Sequence, residues 1–520
     1  MLKFWRNPEF VRHLRAELRF ARAVTVGAVV LVLCLLVGLS CYSDTLHNLE
    51  RVSFLNAGAD TLAVREGIIQ QGWLHFFKWL LILQGGVLTL WSLVSCAQSV
   101  TGERDRKTWD FQRITRLSSA ELLIGKLLGE PALAYFAVLC ALPLTVVAGL
   151  AAGFPLGGIV SSYLTLLAAA LFLGLVGLWL STVLESRSRG VGVLGALGAY
   201  VFILGAENLR RSGLPGLAAF SPISGISYQF GDFHELPLLF GHTVPWLVMT
   251  LAMYAAFGAW LAVMILPNLK RDYDHLRLLS RWQAVGAAAF VNFVMYALVK
   301  PYTLGRGGFG DARAVLEMAL AVNWLALFLL GLATLTPQER LKVWSRNRQA
   351  GKASLFADEG MAWPWLALSA GIGYLMLLWG MTSWSAALPA PPGMLSAAFV
   401  QMMVPLTFVT RDILFVQWCR LTRMRQPVLK GILFIGLYYA AAAVFTVMAW
   451  TSSERNGERL LALLTPVGVF DSRIVGLHFP LSVYGGIALQ GILAVAMLLA
   501  IQSRLHRPAK SQAIAVAMGD

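Results

Sequence analysis

The chain has few charged residues for its length. Asp, Glu, Lys and Arg make up 13% of its 520 residues, whereas hydrophobic residues make up 58%. A soluble protein of this size needs a far more polar surface, and the mean hydropathy of +0.67 points the same way. The composition therefore excludes an ordinary soluble enzyme and predicts an all-α polytopic membrane protein.

The residue patterns of common catalytic and metal sites are also missing. Five cysteines form no Cys-x-x-Cys pair, and eight histidines form no His-Glu-x-x-His or His-x-x-x-His pattern. Gly351-Lys352 resembles the end of a phosphate-binding loop, but the upstream Gly and the following hydroxyl residue are absent. We therefore expect no metal site, no nucleotide or other cofactor bound by this chain, and no enzymatic activity of its own.

Long apolar runs are abundant. Runs of about 18 to 25 residues predict about twelve membrane spans. These spans cover residues 23–41, 76–99, 131–153, 158–184, 190–207, 244–267, 283–300, 314–335, 364–386, 394–410, 431–450 and 480–502. With the N-terminus inside, about 31 of the 42 Lys and Arg residues lie on the cytoplasmic side, as the positive-inside rule expects. The net charge of +15 thus indicates topology rather than nucleic-acid binding. We expect a multi-pass protein of the cytoplasmic (inner) membrane with both termini in the cytoplasm.

The loops between the spans differ in charge. On the outer side the longest loops, 42–75, 208–243 and 451–479, are too short and irregular for a large external domain. On the cytoplasmic side we expect a basic loop after the tenth span. Its charged residues are Arg411, Asp412, Arg420, Arg423, Arg425 and Lys430.

One cytoplasmic stretch, 101–130, is dense in charge although two strongly apolar spans flank it. Ser118 and Glu121 have the spacing of a capping box, so we predict that a helix begins here. This helix leads directly into the third span. A short helix at the membrane surface that continues into a span is suited to transmit motion from a soluble partner.

The N-terminus predicts a second surface helix over 7–22. Asn7 and Pro8 form a favourable helix start. Hydrophobic positions recur every three or four residues, and Arg12, Arg15 and Arg19 follow the same spacing one position on. This pattern is typical of a helix in the membrane interface, with its arginines near lipid phosphates. An ordinary basic tail before the first span explains the pattern equally well when it is taken alone.

The charged stretch resembles the cytoplasmic coupling loop of the type-2 ATP-binding-cassette (ABC) exporter permeases. The shared positions are Glu103, Arg104, Thr108, Asp110, Thr115, Leu117, Ser118, Glu121, Gly125, Lys126, Leu127 and Leu128. Two positions depart from the family pattern, since Lys107 stands where Gly is usual and Arg116 where Pro is usual. The helix at 7–22 is similar to the interfacial elbow helix that opens these permeases.

This resemblance implies a permease subunit of an exporter, driven by separate ABC ATPase subunits, two per transporter, which hold the ATP and Mg²⁺. The residues expected at the ATPase contact are Glu103, Arg104, Arg106, Thr108 and Asp110. Those expected to shape the coupling helix are Ser118, Glu121, Gly125 and Lys126. Those expected at the lipid headgroups are Arg12, Arg15 and Arg19.

The second half of the chain repeats the first weakly but in order, which predicts two six-span units at 1–267 and 268–520. Residues 268–284 echo the N-terminal helix. The sequence TPQERLKVW, which starts at Thr336, echoes TGERDRKTW, which starts at Thr101. We expect either a single-chain pseudo-dimer or a homodimer.

The two units are not equivalent in their cytoplasmic loops. The coupling-like region of the second unit, 336–363, keeps Glu339, Arg340 and Lys342. It lacks the Gly-Lys-Leu-Leu helix of the first unit, so the second region is a diverged counterpart.

Ionisable residues within the predicted spans are rare. Glu317 and Asn323 in the eighth span are the candidates for a translocation path. A proton- or sodium-driven transporter needs carboxylates near the middle of the membrane, and their scarcity argues against one. Two alternatives to the ABC permease stay open. They are an ATP-independent secondary transporter and a membrane enzyme or scaffold that acts on lipid-linked substrates.

Overall fold

The structure is a computed structural model and describes most of the chain. The described residues are 7–55, 61–114, 116–183, 197–198, 200–201, 203–207, 215–232, 234, 236–240, 242–270, 280–303, 323–384, 394–422, 424, 427–466 and 481–505. In these ranges the secondary structure is helical except for two short paired strands, Leu238–Leu239 and His242–Thr243.

Seven of the described helices are long and apolar enough to cross a membrane. Their apolar stretches are Phe20–Arg51, Val64–Asp105, Ala132–Ala151, Leu156–Thr182, Trp246–Lys270, Pro427–Thr451 and Leu481–Leu505. The chain is therefore a multi-pass helical membrane protein. The predicted spans at 190–207 and 314–335 lie partly outside the described residues, so the total of twelve and the 6+6 arrangement stay predictions.

The chain divides into two compact units. The first comprises Met1–Leu238 with Thr243–Leu276, and the second comprises Leu239–His242 with Arg277–Asp520. The observed division thus falls slightly beyond the predicted boundary at residue 267. Asn268–Lys270 forms a 3-10 turn that packs against helices of the first unit.

The first unit is built around one long helix. Its helices are α1 (Pro8–Glu17), α2 (Phe20–Leu55), α3 (Thr61–Asp105), α4 (Trp109–Arg113), α5 (Ser119–Gly129), α6 (Ala132–Ala151), α7 (Leu156–Val183), α8 (Pro215–Ala218), α9 (Pro222–Gln229) and α10 (Trp246–Ile265). Helix α3 packs against α2, α6 and α7. Phe77 and Leu80 of α3 are fully buried in the core that these helices share.

Helix α3 extends well beyond its predicted span of 76–99. Its 45 residues correspond to about 68 Å at 1.5 Å per residue, more than twice the thickness of the hydrocarbon layer. The prediction of a loop from residue 101 was therefore wrong for Thr101–Asp105, which form the end of α3. This extension carries Glu103 beyond the span to meet α1 and α5.

The predicted helix starts are confirmed. The Asn7 side chain accepts a hydrogen bond of 3.0 Å from the Glu9 backbone N–H. Ser118 and Glu121 make both hydrogen bonds of the capping box. The N-terminal helix is shorter than the predicted 7–22, because it ends at Glu17 and Leu18 leaves the helical conformation (φ −92°, ψ 45°).

The second unit contains a helix that the sequence pattern did not indicate. Its helices are α11 (Arg281–Thr303), α12 (Asn323–Ala333), α13 (Gln338–Gln349), α14 (Trp363–Trp384), α15 (Met394–Arg420), α16 (Pro427–Ser452), α17 (Glu454–Leu464) and α18 (Leu481–Leu505). The outer loop predicted at 451–479 contains α17. The cytoplasmic loop predicted after residue 410 was wrong for Arg411, Asp412 and Arg420, which lie within α15, the first two of them buried. It was also wrong for Lys430, which lies in α16, while Arg423 and Arg425 lie outside the described residues.

Candidate functional site

Helices α1, α3 and α5 meet around one buried lysine. The side chain of Lys126 on α5 is fully buried, and its Nζ lies 2.6 Å from Glu103 Oε2 and 3.5 Å from Glu9 Oε1. Nζ also donates a hydrogen bond of 3.2 Å to Ser99 Oγ. A buried ammonium group needs such partners, because it has lost its hydration. Lys126 therefore ties the end of α3 and the start of α1 to α5.

A second cation completes the charge balance. Arg12 on α1 has one guanidinium nitrogen 2.8 Å from Glu103 Oε1 and 2.7 Å from Glu9 Oε1. Gln112 on α4 donates a hydrogen bond of 2.7 Å to Glu103 Oε1. Two carboxylates thus face two cations and an amide. We call these five residues, Glu9, Arg12, Glu103, Gln112 and Lys126, the rim cluster.

Trp109 closes the cluster on one side. Its ring is buried and has Lys126 Nζ at 5.7 Å from its centroid. The guanidinium carbon of Arg104 lies at 5.7 Å from the same ring. Arg104 also donates hydrogen bonds of 3.3 Å to the Thr182 carbonyl on α7. Cation–π attraction therefore holds α4 against the cluster.

Two glycines allow α1 to approach α5 closely. A Cβ atom at Gly125 would lie 2.7 Å from the Cβ of Glu9, and one at Gly129 would lie 2.8 Å from the Cβ of His13. Asn7 Nδ2 adds a hydrogen bond of 2.7 Å to the Glu121 carbonyl. A larger side chain at either glycine would therefore displace α1 and open the cluster.

The surroundings of Glu9 favour its charged form. Burial raises the pKa of Glu9, but a hydrogen bond from His13 and the charges of Lys126 and Arg12 outweigh burial and lower the pKa to about 2. His13 Nε2 lies 3.1 Å from Glu9 Oε1. Glu9 is therefore a carboxylate throughout the physiological pH range.

Three residues at this site, Glu9, His13 and Glu103, resemble a metal site only in the spacing of their ligand atoms. Ligand atoms of Glu9, His13 and Glu103 lie within 4.8 Å of one another. The positive charge between them comes from Lys126 and Arg12, which contact the carboxylate oxygens directly. The donor set therefore fits an ion-pair network, because its carboxylates already bind cations of the chain.

The residues predicted to contact an ATPase separate into a buried and an exposed group. Glu103 is 9% exposed and faces the rim cluster, while Arg104 is partly buried against Trp109. The exposed members are Arg106, Thr108 and Asp110. The exposed residues therefore form the surface of the predicted contact, and Glu103 supports this surface from the buried side. We call the segment Asp105–Asp110 the rim turn.

Lys107 gives the rim turn an unusual backbone. Its φ of 57° lies in the left-handed region, which costs a non-glycine residue about 1–2 kcal/mol. This is the position where the family pattern has Gly. Backbone hydrogen bonds of 3.0 Å, from Lys107 to the Arg104 carbonyl and from Thr108 to the Glu103 carbonyl, hold the turn. The conformation that glycine favours is thus present without glycine.

The other predicted residues lie as follows. Arg12 is half-exposed but paired within the rim cluster, whereas Arg15 and Arg19 are exposed, as a contact with headgroups requires. Asn323 accepts a hydrogen bond of 3.1 Å from Asn292, and Glu317 lies outside the described residues.

The predicted second coupling region centres on α13. Glu339 on this helix is strongly exposed and lies 3.4 Å from Lys342 Nζ, and Arg340 is partly buried beside it. Trp344 is buried beneath Arg348, whose guanidinium carbon lies 5.4 Å from the ring centroid. Trp344 thus shares with Trp109 a buried ring with a cation over it, although this cation is exposed and comes from the same helix.

Sequence reasoning missed a buried arginine that holds this region. Arg281 at the start of α11 is 3% exposed and donates hydrogen bonds of 2.8 Å to Thr336 Oγ1 and 2.9 Å to the Gly360 carbonyl. It also missed Glu9 and Gln112 in the rim cluster. The spacing of Gly125 and Gly129, one helical turn apart, was a signal that another helix packs on this face.

Comparison with known proteins gives no relative. No family model matches the chain, and neither a curated protein nor a solved structure matches it.

Proposed function

We propose that the chain is the transmembrane permease subunit of an ABC exporter, driven by separate ATPase subunits that dock on the rim turn. The observation that supports this function best is the burial of Lys126 among Glu9 and Glu103. Through this residue the exposed rim turn, the end of α3 and the short helix α5 are joined as one body. ATP and Mg²⁺ bind to the partner.

The connection from the rim to the membrane is short. Helix α5 ends at Gly129 and α6, an apolar helix of membrane-spanning length, begins at Ala132. A displacement of the rim turn moves α5 through Lys126, and α5 has little slack before α6. The buried Gly125 contact adds α1 to the same body. This arrangement suits the transfer of a partner's motion into the membrane.

The proposed topology has about twelve spans in two six-span units, with both termini in the cytoplasm. Trp109 and Trp344 are both buried with a cationic side chain over the ring, which supports related cytoplasmic regions in the two units. The chain then works either as a single-chain pseudo-dimer or as a homodimer, with two ATPase subunits in both cases.

The test reverses exposed charges of the rim turn and leaves the rim cluster intact. The double variant Arg106→Glu/Asp110→Lys and the control Arg65→Glu/Glu66→Lys, at the opposite end of α3, are purified from native membranes in mild detergent. We expect the rim variant to lose the ATP hydrolysis that co-purifies with the chain, and the control to keep it. Equal hydrolysis in both variants, with matching gel-filtration profiles, would contradict docking at the rim turn.

A secondary transporter independent of ATP is the second candidate, and one observation favours it. Asp412 is a carboxylate buried inside the second unit, 2% exposed and hydrogen-bonded to Arg411 and Tyr439. Buried intramembrane carboxylates are characteristic of ion-driven transport. Transport that survives ATP depletion, collapses with an ion gradient and is lost in Asp412→Asn would support this candidate over the ABC permease.

The third alternative, a membrane enzyme or scaffold for lipid-linked substrates, needs acids or histidines that are accessible at one membrane face. In the described part of the chain, Glu9, His13 and Glu103 lie close together, but both carboxylates are buried. Their contacts with Lys126 and Arg12 make an ion-pair network the better explanation.

A further inference from the structure

Helix α17 folds back along α16. It begins directly after Ser453, packs against α16 and α18, and its 11 residues span about 16 Å. At its end the Leu464 carbonyl accepts a hydrogen bond of 2.9 Å from Tyr438. At 1.5 Å per residue, Tyr438 lies about 17 Å from the Pro427 end of α16 and about 21 Å from the Ser452 end. The end of α17 is therefore level with the middle of α16, a span-length helix.

Two glycines allow α17 to pack closely against α16 and α18. A Cβ atom at Gly457 of α17 would lie 2.6 Å from the Trp450 side chain of α16. A Cβ atom at Gly486 of α18 would collide with the Ala462 carbonyl of α17. Ala462 also packs with Phe408 of α15 in a shared core. Helix α17 thus fills the space between α15, α16 and α18.

Arg411 supports both side chains that hold the end of α17. Its guanidinium donates a hydrogen bond of 2.5 Å to Gln490 Oε1, and Gln490 in turn donates one of 2.9 Å to the Leu463 carbonyl. The guanidinium carbon lies 4.5 Å from the ring centroid of Tyr438, which binds the Leu464 carbonyl. Carbonyls at a helix C-terminus carry partial negative charge, so a nearby cation stabilises this end.

Asp412 fixes the orientation of Arg411. Its Oδ1 accepts a hydrogen bond of 2.8 Å from Arg411 Nε, and its Oδ2 accepts one of 2.7 Å from Tyr439 OH. A buried ion pair of this kind adds little stability compared with apolar residues of the same volume, and charges within a membrane are costly. The pair therefore indicates a task other than general stability.

We propose that α17 is a gate in the second unit and that Arg411 is its latch. In the closed state Arg411, through Gln490 and Tyr438, holds the carbonyls at the end of α17. Opening breaks these hydrogen bonds, lifts α17 from its seat and brings water to the polar site around Asp412. This gate belongs to the second unit and the rim cluster to the first, and the test of the gate does not require an ATPase.

The test measures how often the end of α17 becomes accessible to water. Thr465, which follows α17 and is 6% exposed, is replaced by Cys in a chain whose native cysteines are removed. The protein is placed in nanodiscs and labelled with a charged maleimide. We expect Arg411→Gln to raise the labelling rate about tenfold or more, as expected for the loss of one charge-assisted hydrogen bond. The matched control Lys430→Gln, at an exposed position of α16, should leave the rate unchanged.

A second variant keeps the test decisive if Arg411→Gln fails to fold. Gln490→Leu removes the link between Arg411 and Leu463 without removing a charge, and we expect it to raise labelling at position 465 as well. The buried Cys96 of the first unit, kept in a parallel sample, reports general loosening. Unchanged labelling at 465 in Gln490→Leu, or equal acceleration at Cys96, would overturn the latch.

Discussion

At the scale of single residues, Lys126 carries the largest consequences for the site. Its ammonium group has no exposed surface and serves both Glu9 and Glu103. We expect Lys126→Met to remove one of the two cations of the rim cluster that face Glu9 and Glu103, and to lower the free energy of unfolding by about 3–5 kcal/mol. Unfolding in detergent, followed by tryptophan fluorescence, measures the change.

The control for this variant is Lys270→Met, at an exposed position of the first unit. Its effect should stay within about 0.5 kcal/mol. Equal stability of the two variants would mean that the Lys126 contacts do not hold the rim together.

Glu9 makes the rim sensitive to acid. Its pKa of about 2 lies below the usual 4.5, so the ionised form stabilises the fold above about pH 4.5, and this contribution is lost as the pH falls toward 2. The groups that face it are Lys126, Arg12 and His13. We expect Glu9→Gln to be less stable than the wild type at pH 7, with a difference that shrinks between pH 4.5 and pH 2. Thermal unfolding across this range measures it, and a constant difference would contradict the assignment.

Lys107 carries a backbone cost that glycine would remove. The left-handed conformation costs about 1–2 kcal/mol, while glycine loses about 0.4–1 kcal/mol more entropy on folding. We therefore expect Lys107→Gly to gain about 0.5–1 kcal/mol, measured by thermal unfolding. Lys107→Ala should show no such gain, because alanine meets the same steric cost. A gain in Lys107→Ala equal to that in Lys107→Gly would assign the effect to the lost charge.

At the scale of elements, the seating of α1 on α5 depends on Gly125. A methyl group there would lie 2.7 Å from Glu9 Cβ, whereas one at Gly102 of α3 would meet nothing within 4 Å. We expect Gly125→Ala to lower stability by about 1–3 kcal/mol and to speed amide hydrogen exchange across α1. Gly102→Ala should do neither, since alanine favours a helix. Similar exchange rates in the two variants would contradict the close packing.

The local starts of these helices could be read from the sequence, but their packing could not. Asn7, Pro8 and the Ser118–Glu121 pair predicted both starts, because caps depend on neighbouring residues. The predicted helix ends were wrong, because α1 ends at Glu17 and α3 continues to Asp105. The contact between Glu103 and Lys126 depends on which helices pack together, and a local sequence pattern does not contain that information.

The charged residues of α15 also show that a local sequence pattern does not predict how helices pack. Arg411 and Asp412 indicated a loop, because single charges are excluded from the hydrocarbon layer. The structure pairs them with each other and with Tyr439 and Gln490, which come from two other helices. Only the folded arrangement of α15, α16 and α18 makes these charges compatible with the interior.

At the scale of the whole molecule, the composition correctly predicted a multi-pass helical membrane protein, and seven described helices meet that description. The chain also divides into two compact units. The choice of a partner depends on exposed surfaces such as the rim turn, where Arg106 and Asp110 are exposed, and composition does not describe such surfaces.

The most direct measurement of the central claim is the native mass of the chain purified from its own membrane with its bound partners. We predict a particle heavier than the 56.7 kDa chain that contains ATPase subunits and hydrolyses ATP. One permease with two ATPases would identify a pseudo-dimer, and two permeases with two ATPases a homodimer. A folded chain that carries no ATPase, alone or as a dimer, would contradict the proposed function and favour a transporter that works without ATP.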